Sequence, residues 1–199
     1  KEPHDNFPNS LSVAQLTNEF EMGKIFHHDN IIGYIDLIHK DTLVFLVKEF
    51  FESSSLEEYI SKKDIDSEDF LKIALQITEG ISAIHRNNLI HKLIKPSNIL
   101  INPETKQVKI SDFSRAAYNY ETKSDIQNFI DSIAYISPEQ TGRMNRMLDY
   151  RTDFYSLGIT FYEMLTGRLP FDTNDPMEMV HFHIAKQATS PHHTDAKIP

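Results

Sequence analysis

The sequence contains no cysteine, which excludes both a disulfide framework and a thiolate metal site. No apolar run approaches the roughly 18 residues that a membrane-spanning helix needs. The polar opening KEPHDNFPNS also lacks the apolar core of a signal peptide. Positive charge is in deficit: 20 Lys and Arg face 29 Asp and Glu, a net of −9. Such a balance argues against sequence-independent nucleic-acid binding, which relies on cations that displace counterions. Glycine is sparse, and the six present form no G-x-G-x-x-G segment. What remains is ordinary: 199 residues, 40% hydrophobic and 25% charged, enough for one sizeable domain or a small two-lobed one.

Hydrophobic periodicity then orders the chain. Leu16, Phe20, Met22, Ile25 and Phe26 predict an amphipathic helix over 14–27. Two β-rich runs, 31–38 and 43–50, flank a polar HKDT that is short enough for a hairpin. Residues 51–55, FESSS, read as a linker. Beyond it, Phe70, Ile73, Ala74, Ile77, Ile81 and Ile84 predict a long helix with one buried stripe. Two short strands, ILIN and QVKIS, flank the turn PETK. Residues 113–133 are polar and read as a long functional or mobile loop.

FYSLGITFYEML is apolar nearly all round and predicts a buried helix over 152–167. Thr152 and Asp153 read as its N-cap signal, with Gly167 and Pro170 as its stop. A last helix is predicted over 176–186. A small sheet-plus-helix part thus precedes a larger helical part, which predicts an α+β fold with a hinge near Phe51. Both ends read as cut, so the chain is expected to be part of a larger protein.

Two segments carry the chemistry, LIHKLIKPSNILIN at 89–102 and ISDFS at 110–114. Asn98 and Asp112 are hard oxygen ligands suited to Mg²⁺, each beside a β-like run, and Lys95 adds a cation. Alone, the same residues read equally well as a polar turn with an Asn cap and a strand ending in Asp. Downstream stand SIAYISPEQ and RTDFYSLGITFYEMLTGRLPF. With all of these in this order, nearly the whole chain resembles eukaryotic-type serine/threonine protein kinases. AYISPEQTGRMNRMLDYRTDFYSLG in particular resembles the kinase-like domain that begins large bacterial multi-sensor histidine kinases.

The resemblance implies a bilobal kinase fold truncated at both ends. Residues 1–51 would be a partial N-lobe with helix C, a hairpin and the hinge; residues 52–199 would be a partial C-lobe. The Gly-rich phosphate loop and the final C-lobe helices would lie outside. It also implies ATP and Mg²⁺ as cofactors. Lys95 would reach the transferring phosphate, Asn98 one Mg²⁺, and Asp112 the Mg²⁺ that bridges the phosphates. Glu19 stands at the helix-C Glu position. Its strand-three Lys partner is expected 18 or 19 residues earlier, where Lys1 is the candidate; the alternative is that Lys1 is merely where a fragment starts.

The backbone of Glu49 and Phe51 would face adenine. Lys48 falls at the gatekeeper position, where an apolar residue is usual; it could extend to solvent or pair with an acid, and could equally disturb the adenine pocket. His91 would pack and position the catalytic loop. Ser137, Pro138 and Glu139 stand where Ala, Pro and Glu usually stand, and Asp153 would hold the loop backbone.

Departures from the family pattern point the other way. Leu93 replaces the carboxylate that accepts the substrate proton, a loss of roughly 10² to 10⁴ in rate. Lys92 keeps the charge of the usual Arg but not its fork, and Ser114 restricts backbone where Gly would be freest. Two functions follow for a cytoplasmic signalling protein. One is a slow phosphotransferase acting on protein hydroxyls. The other is a pseudokinase, a nucleotide-responsive or protein-binding module that controls domains of a larger chain. The ten histidines suggest no metal site: His181 and His183 share no helix face, and solvated or capping roles are expected.

Overall fold

The computed structural model describes residues 10–41, 43–62, 65–118, 132–144, 146–194, 196 and 198. Helix α1, Ser10–Gly23, starts and ends about a turn earlier than the periodicity predicts. Its end is set by close packing: a Cβ on Gly23 would lie 2.3 Å from Tyr34 Cε2. Ile25 and Phe26 therefore follow in the turn beyond, with Phe26 buried and Ile25 exposed.

Strands β1, Tyr34–Lys40, and β2, Leu43–Lys48, form an antiparallel hairpin with Leu37 opposite Leu46. The first strand starts later than predicted because Ile31 and Ile32 are used elsewhere. Ile32 N–H donates to the Ile110 carbonyl at 2.9 Å, and Ile110 N–H donates to the Asn30 carbonyl at 2.8 Å. This exchange stitches the hairpin's entry to the rest of the fold.

The segment read as a linker contains strand β3, Ser54–Ser55, which leads into helix α2, Leu56–Lys62. Helix α3, Ser67–Arg86, has the predicted buried stripe of Ile73, Ile77, Ile81 and Ile84. Asp66 caps it by accepting from Asp69 N–H at 2.8 Å, which satisfies an orphan donor of the first turn. Strand β4 is Leu89–Ile90. Strands β5, Ile99–Ile101, and β6, Val108–Ile110, flank the PETK turn as predicted and form a sheet ordered β3-β5-β6. β6 presses on α3 at Gly80, where a Cβ would come within 2.8 Å of Ile110 Cδ1. Strand β7, Ala117–Tyr118, pairs antiparallel with β4. The stretch 119–131, most of the predicted long loop, lies outside the described residues, as does Lys1.

Helix α4, Arg151–Thr166, corrects two expectations. Its N-cap is Tyr150, with no capping side chain; Thr152 and Asp153 lie inside the first turn and direct their side chains to other segments. Nor is it buried all round. Thr152, Asp153, Ser156, Leu157, Ile159, Thr160 and Met164 are buried, whereas Phe154 is exposed. Helices α5, Pro176–Ala185, and α6, Pro191–Thr194, follow. One buried apolar cluster joins α1, the hairpin, α3, β5, β6 and Phe113. Among the described residues no helix is long and apolar enough to cross a membrane.

Candidate active site

The loop after β4 is shaped from below by one carboxylate. Asp153, fully buried at the head of α4, accepts from His91 N–H at 2.9 Å and from Lys92 N–H at 2.8 Å. Its Oδ2 also meets His85 Nε2 at 2.8 Å. Lys92 has a φ of 65°, a left-handed conformation that a long side chain rarely adopts, and these bonds hold it there. The Lys92 carbonyl in turn accepts from Gln140 Nε2 at 3.0 Å. Gln140 Oε1 accepts from Ser137 N–H, and Thr152 donates to Glu139 Oε1 at 2.8 Å. The turn of Ser137, Pro138 and Glu139 is thereby tied to both the loop and α4.

His91 is fully buried and packs its ring against Phe113, with centroids 4.9 Å apart. Its Nε2 lies 3.1 Å from the Ser111 carbonyl, and its Nδ1 accepts from Leu93 N–H at 3.3 Å. A neutral ring protonated on Nε2 satisfies both contacts. Burial pushes its pKa below the usual histidine value, against the pull of Asp153 and Asp112.

The carbonyl of Leu93 accepts from Asn98 Nδ2 at 2.9 Å. The amide nitrogen of Asn98 is thus committed to the loop, so only its Oδ1 could serve a metal. The Asn98 carbonyl accepts from Ser111 N–H at 2.9 Å and from Ser111 Oγ at 3.2 Å, so Asp112 follows directly on the neighbouring backbone. Asp112 has a φ of 65° and accepts from Ser114 N–H at 3.3 Å. Lys95 Nζ donates to Ser132 Oγ at 2.8 Å. The half-buried Leu93 side chain lines a narrow crevice with Lys95, Ser132 and Tyr135.

Above this floor, α1 presents Glu19, which is 1% exposed. Its Oε1 accepts from Tyr34 Oη at 3.1 Å and pairs with Lys48 Nζ from β2. Burial and the Glu19 charge push the Tyr34 hydroxyl well above its ordinary pKa. The neighbouring Asn18 Nδ2 donates to the carbonyls of Phe113, Ser114 and Ala116 at 3.3, 3.1 and 3.0 Å.

The N–H of Glu49 donates to the Gly33 carbonyl at 2.8 Å, which ties the end of β2 to the hairpin entry. The Glu49 carboxylate accepts from Gly33 N–H at 2.8 Å and pairs with Lys109 at 2.9 Å. Burial alone would raise its pKa, but the Lys109 ammonium and the Gly33 N–H outweigh it and hold the carboxyl below the usual range. Phe51 places its carbonyl against Ser53 Oγ at 3.0 Å.

The protein kinase domain family matches residues 3–198. The chain belongs to the protein kinase domain family. Within it, this kinase domain is 33% identical over 192 residues to a probable serine/threonine-protein kinase of Clostridium perfringens, covering 96% of the chain and 26% of that protein. It is 30% identical over 189 residues to the serine/threonine-protein kinase PrkC of Bacillus subtilis, covering 94% and 29%. The human serine/threonine-protein kinase ULK1 is 29% identical over 199 residues, covering 94% and 19%. The chain thus spans less than a third of the length of these curated relatives, and its fold and relatives mark it as a kinase domain of eukaryotic serine/threonine type.

Several residues around the kinase site were not singled out from sequence: Asn18, Tyr34, Gln140 and Ser132. Each is an ordinary polar or aromatic residue whose role depends on a partner distant in the chain. Ser132 and Gln140 carried a signal, as the opening and closing residues of SIAYISPEQ. His183 corrects the solvated-histidine expectation. It is buried, with Nδ1 2.8 Å from Tyr155 Oη and Nε2 2.7 Å from the Ile133 carbonyl.

Proposed function

We propose that this kinase domain binds Mg-ATP over the loop 91–98, and that Leu93 impairs its transfer of the γ-phosphoryl group to protein Ser or Thr hydroxyls. The observation that carries this reading is a loop whose backbone scaffold is complete while its base position is apolar. Asn98 and Asp112 form an all-oxygen donor pair of the kind Mg²⁺ prefers, and Lys95 stands beside them. When bound, Mg²⁺ would neutralise charge on the transferred phosphoryl group. Lys95 would add a cation, held in place by Ser132. Asn98 and Asp112 would orient the metal, and α1 with the hinge at Glu49 and Phe51 would cover the nucleotide.

No carboxylate at 93 would accept the hydroxyl proton. A retained electrostatic site without its base supports a slow enzyme. The same feature favours the second reading, a pseudokinase that responds to nucleotide or binds protein without phosphotransfer. We place the domain on the cytoplasmic side, where ATP is available, with ATP and a protein substrate or the regulated domains of its own chain as partners. The segment 134–158, AYISPEQTGRMNRMLDYRTDFYSLG, supports a setting at the head of a multi-sensor histidine kinase. The division into N-lobe 1–51 and C-lobe 52–199, with Lys1 as the strand-three lysine, belongs to the same reading.

Thermal unfolding of the full-length protein with and without Mg-ATP tests the metal role. At 100 times its Kd the nucleotide should stabilise the domain by about 2.7 kcal/mol. Asp112→Ala should lose most of that shift. An equal shift in both proteins, or none in either, removes the role assigned to Asp112.

A further inference from the structure

We infer that Lys48 is a positioning residue: its ammonium, from the hinge strand, seats α1 and through it the backbone of Asp112. The inference rests on the nucleotide-binding reading only in its final consequence. An apolar residue at the end of β2 would contribute volume and nothing more. Lys48 instead turns inward, its side chain 21% exposed, and pairs with a Glu19 carboxylate that is 1% exposed. The stem also passes Tyr34, with Nζ 4.7 Å from the ring centroid, a cation–π distance. Ammonium and phenol converge on the same oxygen, Glu19 Oε1.

A buried carboxylate without a cation is costly, so this pair decides whether Glu19 points inward. The consequence travels one residue along α1. Asn18 grips the carbonyls of Phe113, Ser114 and Ala116, the turn that Asp112 opens. A continuous chain of bonds therefore runs from β2 through Lys48, Glu19 and Asn18 to the segment carrying Asp112. In this arrangement the hinge strand itself seats α1.

The test compares Lys48→Met, Lys48→Arg, Glu19→Gln and the double variant K48M/E19Q in the full-length protein. Amide hydrogen exchange is read over residues 16–22, and Mg-ATP affinity is read by titration. Lys48→Met should quicken exchange in α1 by about tenfold or more, the scale expected when a buried pair loses one partner. It should also weaken Mg-ATP by a comparable factor. Lys48→Arg should restore most of both, because it returns the charge to the same place.

In the Glu19→Gln background, Lys48→Met should add little. Unchanged α1 exchange in Lys48→Met overturns the inference, as does an equal effect of Lys48→Met with Glu19 or Gln at position 19. If the unaltered protein does not bind Mg-ATP, the nucleotide reading fails alone, and the exchange measurements still decide the role of Lys48.

Discussion

The ring of Tyr34 occupies the space that a side chain at residue 23 would need. A Cβ on Gly23 would approach three atoms of that ring at 2.3, 2.4 and 2.8 Å. Tyr34 also meets Phe113 edge-on at 5.9 Å, and Phe113 meets His91 at 4.9 Å. An aromatic column thus descends from the hairpin to the loop after β4, and the absent side chain at 23 makes its top possible.

Gly23→Ala should therefore be overpacked, at a cost of about 1–3 kcal/mol. Pairing it with Tyr34→Leu should recover part of the loss by making room. Urea unfolding at fixed pH measures both. A wild-type midpoint in Gly23→Ala would mean that the ring yields freely.

Asp153→Ala leaves the His91 and Lys92 N–H groups buried without acceptors, each worth about 1–3 kcal/mol. The variant should lose at least 2 kcal/mol, roughly the sum of two such groups at their lower range. Exchange of the amides at 91 and 92 should quicken most. Protection there at the native level would show that another group holds the loop.

Leu93→Asp would set a carboxylate beside Lys95 and Ser132 at a half-buried position. With a cation adjacent, the folding cost should stay within about 1 kcal/mol, the scale of a partly solvated ion pair. Phosphotransfer by the full-length protein should rise by about 10² to 10⁴ if the missing base is the defect. Activity that remains absent at an unchanged midpoint favours the pseudokinase reading. Full activity in the unaltered protein would mean that another group orients the hydroxyl.

Acid should destabilise the fold through its buried histidines. His91 and His183 are both held neutral by burial, with folded pKa values below the ordinary one. In the unfolded chain they titrate near about 6.5. Below that pH the unfolded chain binds more protons than the folded one, so acidification favours unfolding until the lower folded values are passed. The thermal midpoint should fall as pH drops from about 7 toward 5, the window that opens at the unfolded value. His183→Gln, which keeps a donor for the Ile133 carbonyl, should show a shallower fall. An identical pH slope in that variant would place the effect elsewhere.

Much of the fold was legible because its signals are local. The stripe of α3, the strands around PETK and the Gly167 stop each depend on neighbours a few residues away. The misplaced boundaries have non-local causes. Helix α1 ends at Gly23 because of Tyr34, and β1 starts late because Ile31 and Ile32 join Ile110. At α4, Thr152 and Asp153 resembled a cap because the residue types that cap helices also reach other segments.

The candidate site divided in the same way. Lys95, Asn98 and Asp112 belonged to compact motifs, whereas Glu19 and Lys48 had to be brought together by folding. Sequence leaves Lys48 open to solvent, to an acid or to disturbing the adenine pocket, and in the fold it pairs with Glu19; Lys1, the candidate partner of Glu19, lies outside the described residues.

The bonds around position 93 have a consequence for descent. Both backbone groups of Leu93 are engaged, its N–H by the His91 ring and its carbonyl by Asn98, and neither bond involves its side chain. Selection for the shape of this loop therefore places little constraint on the identity of residue 93. The backbone of the loop can keep its shape whichever side chain stands at 93. By the same independence, an acidic residue arising at 93 would leave both of these backbone bonds in place.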